Sequence, residues 1–256
     1  MTSFNVRLTF HGGLPFFLNR KSADVERCLT ERTSVKDIIE ACGVPHTEVD
    51  LILVNDRPVD FNRVLESESS IEVFPIEPET VTNFPENRLQ VAKIAKFVAD
   101  GHLGKLVRDL RLLGIDVSYD RQADDPALVR VSSEQERALL TRDRRLLMHA
   151  EVRHGYYLRS QIPLVQTVEV LQRFNLAPDL APFTRCLLCN ALLEPAEKAK
   201  IIGQLEPLTR IYYDQFRRCP QCGQVYWSGS HFEKLQARIE TIRSLMASKS
   251  GRKPVL

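Results

Sequence analysis

Residues 96–120, KFVADGHLGKLVRDLRLLGIDVSYD, carry the pattern that decides the fold of the central part of this chain. The apolar run at 97–99 predicts a short strand covered on both faces, as in parallel sheets. Apolar residues then recur at helical spacing up to Gly114, a residue type that favours the left-handed end of a helix. A second strand is predicted at 115–119. This order of strand, helix and strand predicts an α/β fold with a parallel sheet.

Aspartates follow two of the predicted strands. Asp100 comes directly after the first strand, and Asp143 follows a further apolar strand at 138–141. Ligands of open α/β sheets bind at the carboxyl ends of the strands. If the two strands are neighbours, both carboxylates point into one crevice, with Asp125 or Asp124 near its rim. Clustered carboxylates repel one another unless a cation neutralises them. Because oxygen ligands suit Mg²⁺ or Mn²⁺, the pattern predicts a divalent metal site.

A structural role competes with metal binding at each aspartate that precedes a helix, since aspartate is a common N-cap residue. Asp125 is followed by Pro126, and proline is favoured at the first helical position. We therefore expect Asp125 at the N-cap of a helix that continues to about residue 137. A role as cap alone and a place in the metal shell fit this pattern equally well. Asp124 is expected to be a solvated loop residue.

Basic residues accompany these carboxylates in the sequence. Lys105, Arg108 and Arg111 are predicted on the helix face away from the leucines, and Arg142 directly precedes Asp143. Such residues are most often part of a solvated helix surface, but beside a divalent metal site they could bind a phosphate backbone. RNA is therefore a candidate partner. The net charge of +2 is too small to predict a partner by itself.

Four of the six cysteines form two Cys-x-x-Cys pairs, and these are Cys186 with Cys189 and Cys219 with Cys222. Four thiolates in this arrangement are typical of a closed, tetrahedral structural Zn²⁺ site. Two well-separated pairs favour zinc over an iron–sulfur cluster. The long segment at 190–218 predicts a ribbon with a hairpin or an inserted loop. The pairs also argue for metal binding in a reducing compartment and against disulfides.

The composition excludes several classes of protein. An apolar fraction of 43% in 256 residues is ample for packed cores and is not that of a disordered chain. No apolar run reaches membrane-spanning length, and the N-terminus lacks a basic-then-apolar signal pattern. We therefore expect a cytoplasmic protein without a membrane partner.

The N-terminal segment has its own pattern. Ser34 and Asp37 resemble a capping box that opens a short helix, and Gly43 ends this helix. Strands are predicted on both sides of it, at 4–10, 25–29, 49–54 and 71–74. This order is that of a ubiquitin-like β-grasp domain. Because no Gly-Gly tail follows, we expect a protein- or RNA-docking module and not a conjugated modifier.

Several blocks of the sequence resemble one known family. The blocks are the run at 97–120, DDPAL at 124–128, ALLTRDRRLL at 138–147, RCLLCN at 185–190 and RCPQCGQVYWSGSHFEKL at 218–235. They are similar to the Mut7-C ribonuclease domain family, whose members are viewed as PIN-like nucleases with a C-terminal zinc ribbon. Residues 33–61 look like the ubiquitin-like domain that often precedes it.

The resemblance implies a metal-dependent ribonuclease that acts on single-stranded RNA. Carried over by motif, Asp100 and Asp143 are the Mg²⁺ or Mn²⁺ ligands, and Asp125, or less favourably Asp124, takes the intermediate catalytic position. PIN nucleases usually have a fourth acidic residue, which has no clear counterpart here, so one-metal and two-metal schemes are both open. The alternative is a non-catalytic adaptor that binds RNA or a ribosome through the β-grasp domain and the zinc ribbon.

Together these patterns predict an α/β, PIN-like parallel-sheet domain preceded by a β-grasp domain and followed by a zinc ribbon. The expected segments are a β-grasp domain at 1–78, a linker at 79–92, a nuclease domain at 93–180, a zinc ribbon at 181–234, and a helix and tail at 235–256. A protein or ribosome partner is expected to bind through the first of these segments.

Overall fold

The computed structural model describes residues 3–18, 22–76, 84–90 and 93–250. Parts of the predicted linker and of the predicted tail lie outside these ranges. The strands are β1 (Phe4–Phe10), β2 (Asp24–Leu29), β3 (Thr33–Ser34), β4 (Val49–Val54), β5 (Arg57–Val59), β6 (Val64–Leu65), β7 (Ser69–Pro75), β8 (Lys96–Ala99), β9 (Asp116–Tyr119), β10 (Ala138–Thr141), β11 (Gly155–Tyr157), β12 (Glu194–Ala196), β13 (Phe216–Arg218) and β14 (Val225–Trp227).

The α-helices are α1 (Val35–Ala41), α2 (Gly104–Leu112), α3 (Asp125–Glu134), α4 (Arg144–Leu147), α5 (Pro163–Arg173), α6 (Lys198–Ile201), α7 (Pro207–Tyr212) and α8 (Ser230–Ser250). Short 3-10 helices lie at Leu14–Phe17, His46–Glu48, Pro85–Asn87, Gly101–Leu103, Ala177–Asp179 and Ile202–Gln204. In the described part of the chain, no helix is both long enough and apolar enough to cross a membrane.

The chain forms two compact units. The first unit consists of Met1–Ile94 and Ala123–Leu158, and the second of Ala95–Gln122 and Arg159–Leu256. This is a division by packing. The predicted boundaries between β-grasp, nuclease and ribbon segments are a division by sequence and stay a prediction.

The N-terminal part of the first unit is a five-stranded sheet in the order β2-β1-β7-β4-β5. β1 pairs in parallel with β7, whereas its pairing with β2 and the pairing of β4 with β5 and β7 are antiparallel. One face of the sheet packs against α1 around an apolar core that includes Leu8, Phe10 and Ile39, all almost fully buried. Burial of this core drives the fold of the segment. The predicted β-grasp order is confirmed.

Local signals set the boundaries of α1 and of the turn before β5. The Ser34 hydroxyl accepts a hydrogen bond from the Asp37 amide at 3.1 Å, which is the predicted N-cap. Gly43 follows the helix at a φ of +95°, a conformation that favours glycine. Asn55 and Asp56 both adopt positive φ angles, as a tight hairpin turn between β4 and β5 requires.

A strand–helix–strand segment packs against the 3-10 helices of the β-grasp domain within the first unit. β10 and β11 form a parallel pair joined through α4. The Glu48 carboxylate accepts a hydrogen bond from the Tyr157 amide at 2.7 Å, and the buried His46 ring contacts the Val152 carbonyl at 2.8 Å. The rings of Phe17 and Tyr157 form a T-shaped, edge-to-face contact with 5.5 Å between ring centroids. The N-terminal domain is therefore bound to this segment by polar and aromatic contacts.

The second unit contains a parallel pair formed by β8 and β9, connected by α2. α2 turns its leucines inward and packs against α5, which in turn packs against α8. Asp109 is buried on α2 and forms an ion pair with Arg238 of α8 at 2.6 Å. Asp109 Oδ2 also accepts a hydrogen bond from the Thr167 hydroxyl at 3.3 Å. The long C-terminal helix is thus anchored by charge as well as by apolar contact.

The ribbon of the second unit is an antiparallel sheet in the order β12-β13-β14. The inserted segment predicted between the cysteine pairs contains α6 and α7. With parallel strand pairs joined by helices, an N-terminal β-grasp sheet and this C-terminal ribbon, the predicted α/β layout is confirmed.

Candidate functional site

Four cysteines meet at one end of the ribbon. The sulfur atoms of Cys186, Cys189, Cys219 and Cys222 all lie within 4.8 Å of one another. The closest pairs are Cys189 with Cys219 at 3.2 Å and Cys186 with Cys222 at 3.5 Å. A tetrahedral Zn²⁺ site with bonds of about 2.3 Å places its sulfurs about 3.8 Å apart. The four side chains therefore fit a tetrahedral structural metal ion.

The two cysteine pairs adopt the same turn. Asn190 and Gly223, which directly follow the second cysteine of each pair, have φ angles of +75° and +76°. Their amides donate to the carbonyls of Cys186 and Cys219, at 3.0 and 3.1 Å. This left-handed turn is open to glycine and to asparagine. Each turn brings its two sulfurs to one side, and the pairing of the turns completes the cluster.

The surroundings of Cys186 lower the pKa of its thiol. Burial opposes its ionisation, but a hydrogen bond with the Tyr226 hydroxyl and the neighbouring backbone amides outweigh burial and lower its pKa to about 6. Burial raises the pKa of Cys189, and the pKa of the Tyr226 hydroxyl is raised chiefly by burial and then by Cys186. A divalent metal displaces the remaining thiol protons when it binds. Tyr226 is thus a hydrogen-bonding partner of the cluster.

Arg111 of α2 binds the first cysteine turn. Its guanidinium donates to the Leu188 carbonyl at 2.7 Å, to the Leu187 carbonyl at 3.3 Å, and twice to the Val117 carbonyl of β9. Only 3% of the residue is exposed, and burial lowers its pKa. The prediction that Arg111 belongs to a solvated face of α2 is wrong, because the cysteine turn covers that position. Its hydrogen bonds are those of a structural residue.

Asn190 and Arg185 join the same turn to β9. The Asn190 side chain accepts a hydrogen bond from the Val117 amide at 3.1 Å and donates to the Asp116 carboxylate at 2.9 Å. Arg185 donates to the Gly114 carbonyl at 3.0 Å and lies 3.5 Å from the Asp116 carboxylate. Side-chain contacts therefore hold the first cysteine turn of the ribbon to β9 and to Gly114 before it. The sequence analysis assigned no role to either residue. Asn190 follows the first cysteine pair as Gly223 follows the second, and this equivalence could have indicated that Asn190 belongs to the cysteine turn.

Asp100 stands between β8 and a 3-10 helix, with its side chain half-buried. Its side chain does not cap that helix, but its carbonyl accepts from the Leu103 amide at 2.9 Å. The turn is held in place by Tyr119 of β9, whose hydroxyl donates to the Gly101 carbonyl at 2.7 Å. A Cβ at Gly101 would lie 2.6 Å from the Arg121 carbonyl oxygen, so the close approach of this turn requires glycine. Asp100 is consequently fixed at the carboxyl end of β8.

Asp143 follows β10 and is the N-cap of α4. Its Oδ1 accepts from the Arg145 amide at 2.7 Å and the Leu146 amide at 3.4 Å. The Thr141 hydroxyl in turn accepts from the Asp143 amide at 3.0 Å. Asp143 therefore has the N-cap role that competes with metal binding. It engages one carboxylate oxygen and leaves the other out of the cap.

Asp124, and not Asp125, is the N-cap of α3. The Asp124 carboxylate accepts from the Ala127 amide at 3.0 Å, and Asp125 is an exposed residue of the first turn. The prediction of Asp125 as the cap is wrong by one residue, because Pro126 fits the second helical position as well as the first. α3 also ends before residue 137, where Glu136 turns to a φ of +51°. Asp125 therefore does not serve as the N-cap of α3.

The other predicted basic residues lie on the surface. Lys105 and Arg108 are exposed on α2, and Arg142 is exposed between β10 and α4. Asp100 belongs to the second unit, while Asp125 and Asp143 belong to the first. Of the described residues, the four cysteines are the only group of three or more potential ligands assembled closely enough for a metal. Mg²⁺ sites often use only one or two carboxylates together with substrate phosphate.

Comparison with known families agrees with this arrangement. A family model described as Mut7-C RNAse domain matches residues 95–239, which is more than half of the chain. The chain belongs to the Mut7-C RNAse domain family. A second model, described as Mut7-C ubiquitin, matches residues 3–81. A search among curated proteins finds no match.

Membership of the Mut7-C family connects the fold with a ribonuclease-type function in general and with RNA as a ligand. The family match covers α2, β9 and the cysteine cluster, so the cluster is part of the Mut7-C domain. All four sulfurs face one point, so a metal ion bound there would have only protein ligands. Such an ion stabilises the fold. Substrate chemistry must then use other residues of the domain.

Proposed function

We propose that this protein is a divalent-metal-dependent ribonuclease that hydrolyses phosphodiester bonds of single-stranded RNA. The family match is the observation that carries the proposal, since it assigns residues 95–239 to an RNAse domain. Zn²⁺ is the proposed ion of the cysteine cluster. Mg²⁺ or Mn²⁺ is the proposed catalytic ion, with Asp100 and Asp143 as its ligands and Asp125 completing the acidic set.

The local structure around each aspartate supports this assignment. Asp100 is fixed at a strand end without being used as a helix cap, and Asp143 keeps one oxygen out of its cap. Asp125 is exposed and is relieved of capping by Asp124. Carboxylates at the ends of strands in an α/β fold lie where ligands bind. Bound there, a divalent ion supplies activation of water and neutralisation of charge on the phosphate.

Exposed basic residues provide the remaining function, which is to hold the substrate. Lys105, Arg108 and Arg142 are proposed to bind phosphates of the RNA. Positioning of this kind speeds the reaction, because the loss of translational and rotational entropy is met when the RNA binds and no longer adds to the barrier. Arg111 takes no part, since its guanidinium is buried beneath the cysteine turn.

The test is cleavage of labelled single-stranded RNA by the full chain in Mn²⁺, in Mg²⁺ and in EDTA. Asp100→Asn and Asp143→Asn should each lower the rate about a hundredfold or more, since even residues that only support a metal ligand contribute 10- to 100-fold. Asparagine still accepts at an N-cap, so Asp143→Asn keeps α4 capped while it removes the charge. Asp120→Asn is the matched control. Asp120 follows β9 as Asp100 follows β8, and its carboxylate caps only the local turn at Gln122.

Full activity of Asp100→Asn would exclude Asp100 as a ligand. Equal losses in the Asp120 control would show that the effect is one of folding or general charge. RNA that is bound in EDTA and left uncut in every metal would instead favour the adaptor, in which the β-grasp domain and the ribbon bind RNA without catalysis.

A further inference from the structure

An open cleft of about 700 Å³ lies within the first unit. One side is formed by β2 and by the end of α1 in the β-grasp domain, and the other by α4. Val25 and Met148 give it a partly apolar floor. α4 is the helix that Asp143 caps, so the cleft adjoins a residue of the proposed nuclease site.

The charge of the cleft is positive. Arg27, Arg144 and Arg145 line it together with a single carboxylate, Glu40, which leaves an excess of two positive charges. Glu40 is also engaged, since it lies 2.6 Å from the His46 ring nitrogen. Arg27 and Arg145 are exposed, although Arg27 also donates to the Ala41 carbonyl at 3.3 Å. Arg144 is half-buried and is fixed by a hydrogen bond to the Phe17 carbonyl at 2.9 Å. Exposed arginines beside a fixed one make a surface suited to a chain of phosphates.

An aromatic side chain stands next to the fixed arginine. Phe16 is 48% exposed, and its ring centre lies 5.8 Å from the Arg144 guanidinium carbon. Its ring is supported from behind by Phe17 and Tyr157, with centroids 5.2 and 5.8 Å away. A large, rigidly supported apolar ring is costly to expose to water, but it is a platform on which an unpaired base can stack.

We propose that this cleft binds the backbone of single-stranded RNA, with Arg27 of the β-grasp domain and Arg145 of α4 contacting phosphates and Phe16 stacking on a base. The proposal rests on the proposed nuclease function for its choice of RNA as the occupant. It assigns the ubiquitin-like domain to substrate binding, because that domain supplies one wall of the cleft and because its Phe16 lies beside the lining residue Arg144. RNA held there would pass along α4, the helix that Asp143 caps.

The experiment measures binding of a short labelled oligouridylate to the full chain in EDTA, across a range of salt concentrations. Each phosphate contact contributes about 0.7 to the salt slope for a single strand, so Arg27→Ala/Arg145→Ala should lower the slope by about 1.4. At about 0.1 M salt this corresponds to binding about 25-fold weaker. The matched control is Arg57→Ala/Arg63→Ala, which removes two exposed arginines of the same domain that do not line the cleft.

Phe16→Ala provides a second and independent readout. It should weaken binding about fivefold or more without changing the salt slope, because stacking releases no counterions. Thermal melting of each variant checks that the fold persists. Wild-type binding by Arg27→Ala/Arg145→Ala, equal weakening in the control pair, or no RNA binding by the wild-type chain would each overturn the proposal. If the cleft variants bind RNA more weakly while the wild-type chain cuts no RNA in any metal, the result would support the cleft and refute the nuclease function.

Discussion

Replacement of Arg111 by methionine is predicted to destabilise the second unit and to weaken metal binding by the cysteine cluster. Methionine keeps the apolar stem of the side chain and removes the guanidinium, so the change tests the hydrogen bonds and charge with little loss of packing. Three carbonyls lose their donor, one on β9 and two inside the first cysteine turn.

The size of the effect follows from the surroundings of these carbonyls. A hydrogen bond to a charged group contributes a net 1.5 kcal/mol or more, roughly, when it is buried. The Val117 contact is buried, whereas water can partly replace the contacts at Leu187 and Leu188. If the hydrogen bond to Val117 is counted in full and those to Leu187 and Leu188 at about half, the free energy of unfolding falls by about 3 kcal/mol. For a protein of this size, that corresponds to a fall in melting temperature of about 6–12 °C.

Thermal melting and metal content measure the two consequences. Supporting residues around a metal site contribute about 10- to 100-fold to affinity, and a loss in that range is expected in competition with a chelator. Arg108→Met is the matched control, because Arg108 lies on the same helix and is exposed. Arg111→Lys keeps the charge but cannot span three carbonyls, so it should fall between the two. A melting temperature for Arg111→Met equal to that of Arg108→Met would refute this reasoning.

Three further predictions concern the second unit. Gly114→Ala should lower the free energy of unfolding by about 2 kcal/mol or more, since its φ is +87° and a Cβ would lie 2.2 Å from the Ala181 carbonyl oxygen. The control is Gly203→Ala, which should leave the melting temperature nearly unchanged because no atom lies within 4 Å of a Cβ there. Removal of metal by a chelator should open the ribbon to proteolysis, and Zn²⁺ but not Mg²⁺ should restore protection; resistance without metal would contradict a structural ion. Asp109→Asn should cost about 2 kcal/mol, since it leaves Arg238, one-third exposed, without its carboxylate. In a double-mutant cycle with Arg238→Gln, additive losses would show that the pair contributes nothing.

Elements with strong local signals were predicted almost to the residue. β1 and β10 have the predicted bounds, and α1 begins at the predicted Ser34 cap. In each case the decisive interaction is between residues close in sequence, such as a cap with its third neighbour or alternating residues on one strand. The cysteine pairs belong to the same class, because their spacing by itself fixes the turn that groups two sulfurs.

Predictions that depended on distant segments were less secure. The helical period placed Arg111 opposite the leucines of α2, but that face is covered by a turn more than seventy residues further along the chain. The period of a helix reveals which residues share a face and does not reveal what covers that face. The N-cap of α3 shifted by one residue for a different reason, since Asp124 and Asp125 are chemically alike and proline is accepted at either of two positions.

The sequence by itself therefore determined the order of strands and helices, the β-grasp and α/β character, the metal-binding cysteines and the family. Only the tertiary structure decided that Arg111 and Asn190 bind the ribbon to β9 and that the β-grasp domain packs on the segment at 138–158. The physical reason is that secondary structure and capping arise from interactions within a few residues. Burial and charge pairing depend on which distant surfaces the folded chain brings together.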